Sequence, residues 1–218
     1  MVKTNIRAVR VKPEVSEPLI LRVQRTAQIS PHFVRITFGD GDIERFTPMG
    51  YDQWFRLFIP APGKPLPRLP DKLTVASYLR YLTISKQDRP ILRSYSVRAY
   101  RSEGPEIDVD FVLHDPRAGH SPGPAASWAR TCRPADQVAI LDEGVTFNLP
   151  ADTSSVLLVA DESGLPAIAG ILASLPRDIS GRALGEQALP VGLRRHWIAA
   201  GLPKDRIVFC GYWRAGRG

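Results

Sequence analysis

Cysteines and long apolar runs are both scarce in this chain of 218 residues. The two cysteines, Cys132 and Cys210, are far apart and stand in no metal-binding spacing, so we expect neither a disulfide framework nor a metal site. The first residues lack the apolar segment of a secretory signal. The longest apolar stretch, 156–175, is interrupted by the polar residues 161–164 and by Pro166, which argues against a membrane span. We expect a cytoplasmic protein without stable membrane insertion.

Acidic residues are scarce in the first half of the chain. Residues 1–101 hold 18 basic and 8 acidic side chains (+10), whereas residues 102–218 hold 11 and 14 (−3), which together give the net charge of +7. A basic half favours an anionic ligand, a nucleic acid or a membrane surface as partner. The basic residues are dispersed and form no nucleic-acid-binding motif, so we expect no nucleic acid partner. The remaining composition, 44% hydrophobic and 23% charged, is that of a globular protein with one large or two modest domains.

Alternating apolar residues predict a series of strands in the first two thirds of the chain. The predicted strands cover residues 19–23, 33–38, 54–59, 94–100, 107–114 and 137–141. In the fifth of these, Val109, Phe111 and Leu113 point to one side, and Asp108, Asp110 and His114 to the other. The proline-rich segment 60–67 and a short predicted helix over 73–84 form a surface excursion. The strand count predicts a β-barrel over residues 1–148.

The pattern changes after residue 150. Residues 155–160 form a continuous apolar run, typical of a strand buried on both faces, and a helix is predicted over 165–175. A second helix over 187–200 and a strand over 206–210 complete a predicted α/β unit over 151–218. Between the two predicted helices another strand starts at Arg182 and ends almost at once, so this unit is short for a parallel sheet.

The segment Arg93-Ser94-Tyr95-Ser96-Val97-Arg98 is the most informative motif. On a strand, Arg93 and Tyr95 share one face, and Ser96 and Arg98 share the other. Arginine donates paired hydrogen bonds to phosphate, and tyrosine offers a flat surface for ring stacking, so the pair suits a planar, phosphorylated ligand. The alternative is a solvated strand whose arginines face water and whose tyrosine covers the barrel edge.

This segment resembles the Arg-x-Tyr-Ser/Thr-x-Arg signature of the siderophore-interacting protein family, a flavin reductase branch of the ferredoxin-reductase superfamily. Four further segments are similar to family motifs in the same order along the chain: 109–114, Gly123-Pro124-Ala125-Ala126-Ser127-Trp128-Ala129, 157–167 and 211–216. Five ordered motifs are more specific than any one of them. The resemblance implies a β-barrel FAD-binding domain followed by an α/β nucleotide-binding domain with a small parallel sheet.

The resemblance also implies roles for individual residues. Tyr95 would lie against the isoalloxazine ring, with Ser96 near its reactive nitrogen and Arg93 at the phosphates. The helix start at 123–127 would present backbone N–H groups to the pyrophosphate. The full set of residues proposed to bind FAD or the nicotinamide nucleotide is Arg93, Tyr95, Ser96, Arg98, Asp110, His114, Gly123, Ala125, Ala126, Ser127, Asp161, Glu162, Ser163 and Trp213. Basic residues proposed by position to bind the acceptor are Lys204, Arg206 and Arg214.

Each of these assignments has a plain structural alternative. Residues 123–129 could be an ordinary helix start, and His114 a structural histidine near a strand end. Asp161, Glu162 and Ser163 follow a predicted strand at the end where α/β sheets bind ligands, but an acidic turn is equally favoured there by the helix dipole. Trp213 could close the two domains instead of contacting the flavin.

The resemblance implies a monomeric reductase that passes electrons from NADPH or NADH through FAD to a ferric siderophore and releases ferrous iron. One alternative is a flavin reductase with another acceptor, and a second is a flavin- or siderophore-binding protein without reductase activity. The second domain, 151–218, lacks a stretch that relatives carry. We therefore expect residues to be absent around Leu184–Gly185, either deleted or omitted from the sequence at this point.

Overall fold

The structure is a computed structural model, and it describes residues 10–15, 17–67, 69, 79, 81–85, 87–113 and 123–185. For residues 181–185 it describes the backbone. The helix predicted over 187–200 and the strand predicted over 206–210 lie outside the described residues. No helix among the described residues combines the length and the apolarity needed to cross a membrane.

Seven antiparallel strands form one sheet. They are β1 (Leu19–Ser30), β2 (Phe33–Gly39), β3 (Trp54–Ile59), β4 (Ile91–Ser96), β5 (Ala99–Arg101), β6 (Glu106–Val112) and β7 (Gln137–Gly144). Their order across the sheet is β4-β3-β7-β1-β2-β6-β5. Each neighbouring pair is antiparallel.

The sheet curls until its two ends approach each other. Four strands separate β4 from β6 in the sheet order, yet the rings of Tyr95 on β4 and Phe111 on β6 lie 4.3 Å apart between centroids. Just beyond β4, the N–H of Arg98 donates to the carbonyl of Asp108 at 2.9 Å. The predicted barrel is therefore confirmed as an antiparallel, barrel-like sheet.

The core lies inside this curled sheet and follows the predicted alternation. On β6, Ile107, Val109 and Phe111 are buried in the main apolar cluster, whereas Asp108 and Asp110 make ion pairs on the opposite face. Burial of one such apolar side chain contributes about 1.5–3 kcal/mol. Helix α1 (Pro124–Thr131) packs its buried alanines against the same cluster.

The predicted strand over 94–100 is wrong, because two strands take its place. β4 ends at Ser96, and β5 begins at Ala99. The intervening N–H groups of Val97 and Arg98 donate to the carbonyls of Gln53 and Asp108 at 2.8 and 2.9 Å. Ser96 and Arg98 therefore do not share a face of one strand. β4 instead begins three residues earlier, at Ile91.

The second part of the chain is a strand–helix–strand unit. It consists of β8 (Ser155–Ala160), a 3₁₀ turn (Glu162–Gly164), α2 (Leu165–Ser174) and β9 (Ser180–Gly185). β8 and β9 pair in parallel, as expected for two strands joined by a crossover helix. Leu157 is 51% exposed on β8, so the expectation of burial on both faces is wrong, because α2 is the one helix described against this pair.

The bond between Leu184 and Gly185, where residues are expected to be absent, lies at the end of β9. β9 begins at Ser180, two residues before the predicted strand, and runs through both residues. Leu184 pairs with Val159, and Gly185 pairs with Ala160, in unbroken register. The strand continues across this bond, and the expectation that residues are absent here, either deleted or omitted from the sequence, stays a prediction.

Candidate functional site

Tyr95 lies on β4, which is the strand at one end of the sheet. Its half-buried ring packs against Phe111 with an interplanar angle of 40°. Burial raises the pKa of the Tyr95 phenol, and the nearby positive charge of Arg93 opposes this rise only in part. The phenol is therefore neutral over the ordinary working range of pH, and the ring offers a polar edge on an apolar body.

Ser96 follows at the end of β4 and is 6% exposed. Its Oγ is the single buried side-chain polar atom without a hydrogen-bond partner among the described residues. A buried hydroxyl without a partner costs about 1–3 kcal/mol. Such an atom is unusual in a native structure and fits a position where a ligand supplies the missing partner.

Arg93 lies two residues before Tyr95 and on the same face of β4, as predicted. Its side chain is exposed, and its Nη1 donates to the carbonyl of Leu92 at 2.8 Å. It forms no ion pair with any carboxylate of the described residues. The guanidinium is thus free to meet an anion.

The start of α1 is small, open and without a side-chain cap. Gly123 is the N-cap residue, and an added Cβ there would meet no atom within 4 Å. Pro124 has no N–H, and the Ser127 N–H donates to the Gly123 carbonyl at 2.9 Å. Ala125 and Ala126 lie in the first turn, where amides lack intrahelical acceptors. These features suit a phosphate group.

A row of aromatic rings joins the two motifs. Trp128 of α1 stacks on Phe38 with centroids 6.3 Å apart and contacts Phe111 at 5.8 Å. Phe111 in turn contacts Tyr95. Residues 93–96 and 123–129 are therefore brought together around one side chain of β6. The roles of Phe111 and Phe38 were missed in the sequence, where both appear as ordinary core residues.

Asp110 has protein partners in this structure. Its carboxylate accepts two hydrogen bonds from Arg35, at 2.7 and 2.9 Å, and Nε of Arg98 lies 3.6 Å from its Oδ2. Asp110 and Arg98 thus form part of an ion-pair group on the polar face of β6. Their proposed contact with a cofactor stays a prediction.

Asp161 caps the 3₁₀ turn Glu162–Gly164 that follows β8. Oδ1 of Asp161 accepts hydrogen bonds from the backbone N–H and the hydroxyl of Ser163, in the pattern of an N-cap residue. These hydrogen bonds give Asp161 and Ser163 a structural role that requires no ligand. The turn at Glu162–Gly164 approaches β6, with Cα atoms within 8 Å.

Five predicted site residues lie outside the described residues. They are His114, Trp213, Lys204, Arg206 and Arg214.

Comparison with known proteins shows the family of this chain. The model of the siderophore-interacting FAD-binding domain matches residues 22–147, more than half of the chain. The chain belongs to the siderophore-interacting protein family. A second family model, siderophore-interacting protein, matches residues 153–190, so the family resemblance includes the strand–helix–strand unit.

Individual relatives give the same result. The chain is 31% identical to an uncharacterized protein of Mycobacterium tuberculosis over 84% of this chain and 68% of that protein. It is 30% identical to the NADPH-dependent ferric-chelate reductase of Escherichia coli, over 74% of this chain and 57% of that protein. A siderophore utilization protein from T. fusca has a similar structure, with a TM-score of 0.63, 27% identity, and coverage of 81% of this chain and 63% of that chain. This family member thus spans about three fifths of the length of the last two proteins.

Proposed function

We propose that this chain is an FAD-dependent reductase that passes electrons from NADPH or NADH to a ferric siderophore and releases ferrous iron. The observation that carries the proposal is the partnerless, buried hydroxyl of Ser96 beside Tyr95, within a siderophore-interacting FAD-binding domain. The name of the E. coli relative supports NADPH as donor and a ferric chelate as acceptor. We assign the FAD-binding role to residues 1–148 and the nucleotide-binding role to residues 151–218.

The residues present fit FAD in four respects. Ser96 offers a hydroxyl that needs a partner, and Tyr95 offers a flat ring that burial keeps neutral. The uncapped first turn of α1 offers N–H groups at an open glycine, and Arg93 adds a free positive charge. When bound, FAD supplies the chemistry that joins a two-electron donor to a one-electron acceptor.

The chain's own residues bind and orient in this proposal. Tyr95 packs against the flavin ring, and Ser96 donates to a ring nitrogen. Arg93 and the amides of Ala125 and Ala126 hold the pyrophosphate, because small side chains permit its close approach to a helix start. Ser127 belongs to the same cradle. No general acid or base is required of the protein.

The nucleotide and acceptor contacts are further parts of the proposal. The turn Asp161, Glu162 and Ser163 stands at the carboxyl end of β8, where α/β sheets bind ligands, and Glu162 can accept hydrogen bonds from ribose hydroxyls. Lys204, Arg206 and Arg214 would attract an anionic iron chelate, and Trp213 and His114 would contact the flavin. Arg98 and Asp110 would support the site from the ion pairs they form with each other and with Arg35.

The decisive experiment uses the purified full chain loaded with FAD. Anaerobic mixing with NADPH, and separately with NADH, should bleach the flavin absorption bands. Addition of a ferric siderophore should then restore the bands and produce ferrous iron, measured with a ferrous chelator. Bleaching without iron release would indicate a flavin reductase with another acceptor. A flavin that neither nucleotide bleaches would leave a binding protein and overturn the proposal.

A further inference from the structure

The loop before β3 is hydrogen-bonded to the end of the flavin motif, by which we mean residues 93–98. Gln53 is 2% exposed, and its Nε2 donates to the carbonyl of Thr47 at 3.0 Å and to Oδ2 of Asp142 at 2.8 Å. The carbonyl of Gln53 accepts from the N–H of Val97 at 2.8 Å. Because Val97 directly follows Ser96, the position of this loop and the position of the Ser96 hydroxyl are linked through one backbone hydrogen bond.

Two consecutive left-handed residues shape the tip of this loop. Gly50 has φ 71°, and Tyr51 has φ 49°, a conformation that is uncommon and unfavourable for a residue with a side chain. The strain persists because Tyr51 is held on three sides. Its ring contacts Phe147 at 5.9 Å between centroids, its N–H donates to Oγ of Ser174 at 2.7 Å, and its carbonyl faces Gly170 of α2.

Gly170 of α2 is in close contact with the loop. A Cβ at this position would stand 2.1 Å from the carbonyl oxygen of Tyr51 and 3.9 Å from that of Val97. Ser174 lies one turn later on the same face of the helix, and its Oγ donates to the Gly170 carbonyl at 2.8 Å. The helix therefore meets the loop through a bare backbone and one hydroxyl, with no space for a larger residue.

The geometry points to Gly170 and Ser174 as positioning residues that hold the α/β unit in place beside the flavin motif. The acidic turn at 161–164 leads directly into α2, so the placement of this helix sets where that turn stands relative to Ser96. This inference deepens the proposed function and rests on it for the claim about electron delivery. The docking contact itself rests on the hydrogen bond and close approach described above.

The test compares three variants of the FAD-loaded full chain. Gly170→Ala forces the helix away from Tyr51, and Ser174→Ala removes the acceptor of the Tyr51 N–H. Ala173→Ser is the matched control, because Ala173 is exposed on the same helix. Alanine favours helices more than glycine does. If α2 did not dock against the loop, Gly170→Ala would therefore raise the melting temperature of the protein. Because α2 docks here, we expect Gly170→Ala to lower the melting temperature.

Four measurements separate positioning from general damage. Hydrogen exchange of the Tyr51 amide should become about tenfold faster in Gly170→Ala and Ser174→Ala, because it loses its acceptor. Flavin reduction by saturating NADPH should slow about tenfold or more in Gly170→Ala, because small displacements of reacting groups are costly. The dissociation constant of FAD and the rate of flavin reduction by dithionite should match those of the wild type and of Ala173→Ser.

Two results would overturn the inference. The first is unchanged exchange at Tyr51 in both variants, which would mean that the contact does not fix the helix. The second is slower reduction accompanied by an equal loss of FAD affinity, which would mean that the flavin site itself is damaged. If neither nucleotide reduces the wild type, the proposed function fails and the role in electron delivery fails with it, while the exchange data still decide whether the docking contact exists.

Discussion

The hydroxyl of Ser96 is the one buried side-chain polar atom without a hydrogen-bond partner among the described residues. By contrast, the buried side chains of Gln53 and Asp142 are hydrogen-bonded to each other and to nearby backbone groups. Burial of an unpaired hydroxyl opposes folding, so a residue without that hydroxyl would suit the ligand-free protein better. The Ser96 hydroxyl becomes stabilising when a ligand forms a hydrogen bond with it.

Replacement of Ser96 by alanine should therefore have opposite effects on folding and on binding. We expect Ser96→Ala to leave the free energy of unfolding of the FAD-free protein unchanged or to raise it. We expect it to weaken FAD binding by about 0.5–1.5 kcal/mol, the net value of one hydrogen bond. Urea denaturation and a fluorescence titration with FAD measure the two quantities. Ser94→Ala, at an exposed position on the same strand, is the control, and equal FAD affinity in both variants would contradict the assignment.

The sequence predicts the orientation of some residues of the site, but it does not predict their contacts with residues distant along the chain. Period-two alternation places Arg93 and Tyr95 on one face, as the structure confirms. It does not reveal that Phe111 connects Tyr95 to Trp128, because that contact joins residues distant along the chain. Gly170 looked like one more small residue of a helix, and its close approach to Tyr51 depends on how two elements dock.

At the scale of the strand, β6 carries three acidic residues on its polar face, and each of them is paired with arginine. The central one, Asp108, accepts two hydrogen bonds from Arg101 at 2.7 and 2.9 Å and one from the hydroxyl of Thr37 at 2.6 Å. Burial acts to raise the pKa of Asp108, but these hydrogen bonds outweigh it and hold the pKa below its usual value. Asp108 therefore links β6 to β5 and β2.

This lowered pKa predicts how stability depends on pH. A carboxyl whose pKa is lower in the folded state contributes stability that is present above the usual aspartate value of about 3.9 and is lost as the pH falls through the folded value. The free energy of unfolding should thus decline below about pH 4. Asp108→Asn should cost about 1–3 kcal/mol at pH 7 and should flatten this decline.

Urea denaturation at several pH values measures the effect of Asp108. The control is Glu103→Gln, at an exposed position in the turn between β5 and β6, which should keep the wild-type pH dependence. The same slope below pH 4 in Asp108→Asn and in the wild type would contradict a stabilising role for this ion pair.

Two strands were predictable from their apolar residues, which are interrupted only by Arg56 in β3 and form a continuous run in β8. β3 and β8 have the predicted bounds, 54–59 and 155–160. The break between β4 and β5 was not predictable, because Val97 and Arg98 find their acceptors in Gln53 and Asp108. The hydrogen bonds of a strand end are thus decided by other parts of the chain and not by its own sequence.

For the whole molecule, the basic first half is a weaker guide to the ligand than its charge of +10 suggests. Several of its arginines are already neutralised by acidic partners, as in the pairs of Arg25 with Glu106, Arg35 with Asp110, and Arg56 with Glu143. Arg93 is exposed and has no such partner among the described residues. The net charge therefore predicts an anionic ligand, while the ion-pair pattern indicates where that ligand would meet a free charge.

The proposed cofactor should stabilise the whole molecule measurably. A ligand that binds only the folded state adds about 2.7 kcal/mol at a concentration one hundred times its dissociation constant. For a chain of this size, each kcal/mol shifts the melting temperature by about 2–4 °C, so FAD should raise it by roughly 5–11 °C. Riboflavin, which lacks the pyrophosphate that Arg93 and the first turn of α1 would hold, should raise it much less at the same concentration. Thermal unfolding followed by circular dichroism measures both shifts, and equal shifts with FAD and riboflavin would contradict the assignment of that turn to the pyrophosphate.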